Sequence, residues 1–148
     1  GRNIGEACHF YDLILYLIDQ KYVDINANAM FDKKNSKFNK TDNFFVQISF
    51  SNGSIAQINY SISGAKLSYK ELIEIRGLNK TLINKDFKQI KILDDSKEKI
   101  LYSISKPDKG YLKQYESFFN SLKKGKSSIP VQDQIDAMDI CFMVEDKI

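Results

Sequence analysis

Apolar residues near the N-terminus recur at helical spacing. Ile4, Ala7, Cys8, Tyr11, Ile14, Leu15 and Ile18 follow the rhythm of one helix face. At about 100° per residue they fall within an arc of roughly 120°. His9 lies nearly opposite the centre of that arc, so the pattern predicts a helix that packs through one face and presents Glu6, His9 and Asp12 on the other. From Val23 to Phe31 the period changes to two, with Val23, Ile25, Ala27, Ala29 and Phe31 alternating with polar residues. That is the signature of a strand with one buried face. Asp32 to Asp42 is Lys- and Asn-rich and aperiodic, and reads as a long mobile loop.

Phe44–Phe50 and Ile55–Ile62 read as two strands joined by Ser51-Asn52-Gly53-Ser54, an Asn-Gly hairpin signal. Ser63 to Lys66 breaks the pattern. Tyr69–Gly77, Lys80–Asn84, Phe87–Leu93 and Lys99–Ile104 resume it, with turns at Asn79-Lys80, Asp86 and Asp94-Asp95-Ser96. Such closely spaced strands leave no room for crossover helices, so they must be largely antiparallel. The chain ends in helical pattern. Asp108 is a candidate cap for a helix striped by Tyr111, Tyr115, Phe118, Phe119 and Leu122, with Gly125 at its C-terminal end. Pro130 suits the first turn of a last helix carrying Val131, Ile135, Met138, Cys141 or Phe142, and Val144 or Glu145. The expected fold is α+β: one largely antiparallel sheet of about six strands with three helices on one face. Phe45, Val46, Ile48, Ile58 and Tyr60 raise the question whether the open face is also apolar; an interface and ordinary strand composition weigh about equally.

Composition narrows the function. A chain of 148 residues with 43% hydrophobic and 28% charged residues fits one globular domain. No apolar run approaches the roughly 18 residues of a membrane span, and no basic, apolar leader opens the chain, so a cytoplasmic protein is expected. The net charge is +3, and Arg2 and Arg76 are the only arginines. Scarce Arg, with Lys interleaved among acids, argues against nucleic-acid binding. Cys8 and Cys141 lie at opposite ends of the chain, which favours reduced thiols. A single histidine excludes a multi-His metal site. Gly1 in place of Met, with helical pattern beginning at once, predicts a domain of a longer protein.

Glu6-x-x-His9-x-x-Asp12 is the one constellation fit for chemistry. Three-residue spacing keeps the side chains on one side of a helix. Imidazole transfers protons near neutral pH, and a carboxylate one turn away can orient it. Spacing alone also fits a solvated helix face, and on that ground the bland reading is the commoner one. Lys123-Lys124-Gly125-Lys126 reads as a solvated helix end. The Tyr111/Tyr115/Phe118/Phe119 stripe reads as core rather than a stacking platform.

The stretch Gly1-Arg2-Asn3-Ile4-Gly5-Glu6-Ala7-Cys8-His9-Phe10-Tyr11-Asp12-Leu13 closely resembles a helix in the substrate domain of the glucose–fructose oxidoreductase / inositol dehydrogenase (Gfo/Idh/MocA) family. Phe50-Ser51-Asn52-Gly53-Ser54 is similar to that family's Phe-x-Asn/Asp-Gly-Ser hairpin, and Lys70 to Gly77 to its Lys-Glu-x-x-Glu-x-x-Gly strand. Asp108-Lys109-Gly110-Tyr111 resembles its Asp-Lys-Gly-His helix start, and Ser128-Ile129-Pro130 its Pro-Ile-Pro. The resemblance implies NAD- or NADP-dependent oxidation or reduction of a sugar, nucleotide-sugar or cyclitol. It implies His9 as the acid/base, with Glu6 orienting it or binding substrate, and Asp12 and Arg2 binding substrate. It also implies an N-terminal Rossmann domain as partner and a homo-oligomer formed through the open sheet face. Many family members carry Asp where this chain has Gly5, and His where it has Tyr111. Neither Gly-x-Gly-x-x-Gly nor Glu-Lys-Pro occurs here. The nucleotide is therefore expected to bind the missing N-terminal domain and not this chain alone, which would be roughly the C-terminal two-thirds of a substrate domain. The alternative is a catalytically silent interaction module of the same fold.

Overall fold

The computed structural model describes residues 1–30 and 39–148. These form two compact units, Gly1–Gly64 with Ser127–Ile148, and Ala65–Lys126. In the first unit a π-helical turn, Asn3–Ala7, runs into α1, Cys8–Ile18. Strands β1 (Tyr22–Ala29), β2 (Asn43–Phe50) and β3 (Ile55–Ser61) follow as an antiparallel sheet in that order. The last helix of the chain, Val131–Lys147, packs against α1, the π turn and β1. Between helices and sheet lies a core of Ala7, Tyr11, Ile25, Phe44, Val46, Ile48, Phe50, Ile140, Cys141 and Val144.

Three details of this unit depart from the sequence pattern. The register of β1 against β2 shifts between Tyr22 and Asp24. The bulge sends Val23 to solvent, 64% exposed, and lets Tyr22 join the core. In the last helix the buried stripe is Ala137, Ile140, Cys141 and Val144, while Val131, Ile135 and Phe142 are exposed. The apolar residues of the sheet also concentrate on one side. Val46 and Ile48 are buried and Ile58 and Tyr60 pack beside them, whereas outward positions hold Asn26, Gln47, Gln57 and Asn59, with Phe45 an apolar exception. The Asn52-Gly53 hairpin forms as expected, with Gly53 at φ 84° and the Phe50 amide donating to the Ser54 carbonyl at 2.9 Å. Of the expected long loop, residues 32–38 lie outside the described residues, as does Phe31 of the first expected strand. Lys40–Asp42 is a 3-10 turn, tied by the Asn39 amide donating to Asp42 Oδ2 at 2.8 Å.

The second unit is a four-stranded meander, β4 (Leu72–Gly77), β5 (Lys80–Lys85), β6 (Gln89–Leu93) and β7 (Glu98–Ser103), followed by α2 (Tyr111–Lys124); the last helix is accordingly α3. The expectation of one six-stranded sheet is thus corrected to seven described strands in two antiparallel sheets. Nor do the three helices share one sheet face, since α2 belongs to the second unit. Side-chain bonds mark the end of the first sheet. Ser61 and Ser63 hydroxyls both donate to Asn43 Oδ1, at 2.8 and 3.0 Å, which ties off β3 against β2. Strand β4 instead pairs forward with β5 through a tight turn. Asp108 does not cap α2. The N-cap is Gly110, whose amide donates to Asp108 Oδ1 at 2.8 Å. Gly125 closes the helix at φ 63°, as its position predicts. The aromatic stripe of α2 is exposed rather than core.

The tight turns hold bulky residues in the left-handed region. Phe87, at φ 54°, is compensated: its amide donates to Asn84 Oδ1 at 3.0 Å, and Lys109 Nζ sits 5.4 Å from its ring centroid. Leu78, at φ 51°, is 95% exposed. Left-handed backbone costs a non-glycine residue roughly 1–2 kcal/mol, with Asn among the tolerant exceptions. Leu78→Asn should therefore stabilise the chain by roughly 0.5–1 kcal/mol, read as a higher denaturation midpoint. A lower midpoint would show that Leu78 has packing of its own.

Candidate active site

The helix bearing His9 is anchored from its buried side. Asn3 is 0% exposed. Its Nδ2 donates to the Cys141 carbonyl and to Glu145 Oε2, both at 2.8 Å, and its Oδ1 accepts from the Tyr11 hydroxyl at 2.8 Å. Burial pushes the Tyr11 phenol well above its ordinary range and the Cys141 thiol up to about 11. Both groups stay neutral at physiological pH, so the core side of the helix carries no charge from them.

On the solvent side, four side chains converge. Arg2 Nη1 donates to Glu6 Oε1 at 2.7 Å, and Arg2 Nε donates to Asp42 Oδ1 at 3.0 Å. The Tyr60 hydroxyl, from β3, donates to Glu6 Oε2. Tyr60 is held in turn by stacking on buried Phe44, with ring centroids 5.1 Å apart and planes 12° from parallel. Hydrogen bonding to Tyr60 and Asp42, with the Glu6 charge, holds the Arg2 guanidinium in its charged form. Burial, then the bond to Glu6, raises the Tyr60 phenol above its ordinary value. Beside this cluster lies an open groove of about 440 Å³, lined by Gly1, Arg2, Gly5, Glu6, Asn39, Thr41 and Asp42.

Spacing on a regular helix places Glu6, His9 and Asp12 together; the structure brings Glu6 to Arg2 and Tyr60 instead. His9 and Asp12 are exposed on α1, and neither makes a hydrogen bond or ion pair with another described residue. A uniform 100° wheel does not describe the first turn, because Asn3–Ala7 is wound as a wider π-helix. Asp42 and Tyr60 lie beyond the reach of the sequence pattern. Tyr60 reads there as one more apolar strand residue, although a partly buried phenol needs a polar partner. Asn3 carries a signal, a polar residue beside the apolar stripe of a packing helix.

The described residues supply no Rossmann-type cradle for a nicotinamide nucleotide. All ladders among the described strands are antiparallel. No parallel βαβ unit is present there to aim a helix N-terminus at a pyrophosphate. Among the described residues no group of three or more His, Cys, Asp or Glu could hold a metal ion. No helix there is long and apolar enough to cross a membrane.

Residues 1–137 match the family model described as "Oxidoreductase family, C-terminal alpha/beta domain", that of the Gfo/Idh/MocA proteins. The chain belongs to this family. No curated protein matches it. Among solved structures, UDP-N-acetylglucosamine 3-dehydrogenase from Acidithiobacillus ferrooxidans shares the fold with a TM-score of 0.80 at 14% identity, covering 97% of this chain and 45% of that one. A probable dehydrogenase from Thermotoga maritima gives 0.72 at 17% identity, covering 99% and 46%. Levoglucosan dehydrogenase in complex with NADH gives 0.72 at 16%, covering 97% and 45%. This Gfo/Idh/MocA domain thus spans less than half the length of these relatives, and the likeness concerns the fold.

Proposed function

We propose that this chain is the substrate-binding domain of an NAD- or NADP-dependent oxidoreductase acting on a sugar, nucleotide-sugar or cyclitol. His9 is its acid/base: it takes the proton of the reacting hydroxyl as the carbonyl forms and returns it in the reverse direction. The observation that carries this reading is an exposed imidazole, unbonded among the described residues, on the helix that continues from the groove-lining first turn. Glu6 accepts a substrate hydroxyl, since its carboxylate meets Arg2 and Tyr60 rather than His9. Arg2 and Asp12 complete the substrate contacts. The nucleotide belongs to an N-terminal Rossmann domain in the longer polypeptide. Leu72 and Ile100, exposed on one side of the four-stranded sheet, support pairing of subunits through an open sheet face.

The test is turnover by the longer protein on a panel of levoglucosan, UDP-N-acetylglucosamine, glucose and myo-inositol, each with NAD and NADP. At least one pair should react. A protein that turns over none of them, yet self-associates through this domain, would favour the silent interaction module.

A further inference from the structure

We propose that Tyr60 is a positioning residue of this site, fixing the Glu6 carboxylate at the rim of the groove so that it can accept a substrate hydroxyl. The inference rests on the reading of Glu6 given above. A glutamate on a helix surface ordinarily samples several rotamers. Here that freedom is removed before any ligand arrives. One oxygen is held by Arg2 and the other by Tyr60. Each holder is itself held: Arg2 by Asp42 of the 3-10 turn, Tyr60 by its stack on Phe44. The path from Phe44 through Tyr60 to Glu6 ties the rim of the groove to the buried core of the sheet. Preorganisation of this kind acts on substrate orientation, where small misplacements are costly in rate.

Tyr60→Phe isolates the hydroxyl, because phenylalanine keeps the ring that stacks on Phe44. In the full protein, with the best substrate of the panel, Tyr60→Phe should lower kcat/KM roughly 10-fold and Glu6→Gln at least as much. The double variant should lose clearly less than the product of the two single losses, because Tyr60 and Glu6 belong to one network with Arg2. Independent losses that multiply, or a Tyr60→Phe protein with wild-type kinetics, would overturn the proposal. A second measurement needs no substrate. In protein labelled at the tyrosine ζ-carbon, the Tyr60 signal is the one lost in Tyr60→Phe. It should titrate above the ordinary phenol range and shift down in Glu6→Gln. An unmoved signal would mean that the bond to Glu6 is absent, and the proposal would fall. Wild-type turnover in both His9→Ala and Glu6→Gln would instead remove the site reading itself, whatever the titration shows.

Discussion

Replacing His9 by alanine in the full protein should lower turnover by about 100- to 10,000-fold, the usual loss when a positioned acid/base is removed. It should leave stability nearly untouched. The imidazole is exposed on α1 and bonds no described residue, so no cavity opens and no partner is orphaned. Substitutions of that kind stay within about 0.5 kcal/mol. Turnover and melting temperature measured on the same variant decide the matter. Nearly normal turnover would remove His9 from the mechanism. A large fall in melting temperature with a proportionate loss of activity would make it a structural residue.

The opposite profile is expected at Asn3, on the same stretch of chain but facing the core. Asn3→Leu keeps the approximate volume and removes every polar atom of the side chain. The Tyr11 hydroxyl then loses its acceptor in a fully buried position, and the Cys141 carbonyl and Glu145 lose a donor. Leaving buried polar groups unpaired costs about 1–3 kcal/mol each, so a loss of roughly 2–4 kcal/mol is expected. For a chain of this size that is a fall of roughly 5–15 °C in melting temperature. Thermal unfolding followed by circular dichroism checks it. A melting temperature within about a degree of wild type would mean that the Asn3 network contributes nothing net.

The two variants mark how far the sequence could be read. Helices and strands were legible because their apolar periods are local: Tyr11 and Ile25, for example, face the core as their spacing predicts. The Gly53 and Gly125 turns were legible because backbone at positive φ selects the residue. The split into two sheets was not, because a period of two marks a strand but not the neighbour it pairs with. The Val23 bulge was hidden because it shifts the alternation by one residue between Tyr22 and Val23, which are both apolar, so the change of phase leaves no mark in the sequence. At the site, the family motif pointed to Glu6 and His9. Tyr60 and Asp42 join the cluster only through pairing between segments distant in sequence, with Tyr60 separated from Glu6 by 54 positions.

The Asn3 bonds span 138 and 142 positions, from the first turn of the chain to α3. Loop-closure entropy rises with the length of the loop closed, and contacts of such separation slow folding. During synthesis, of all the core residues of the first unit, those that α3 contributes emerge last. The helix bearing His9 therefore has no seat while the four-stranded meander, whose ladders join neighbouring strands, can already form. Assembly of the groove is a late event in the life of the nascent chain, and loss of α3 would leave the segment bearing Glu6 and His9 without its anchor.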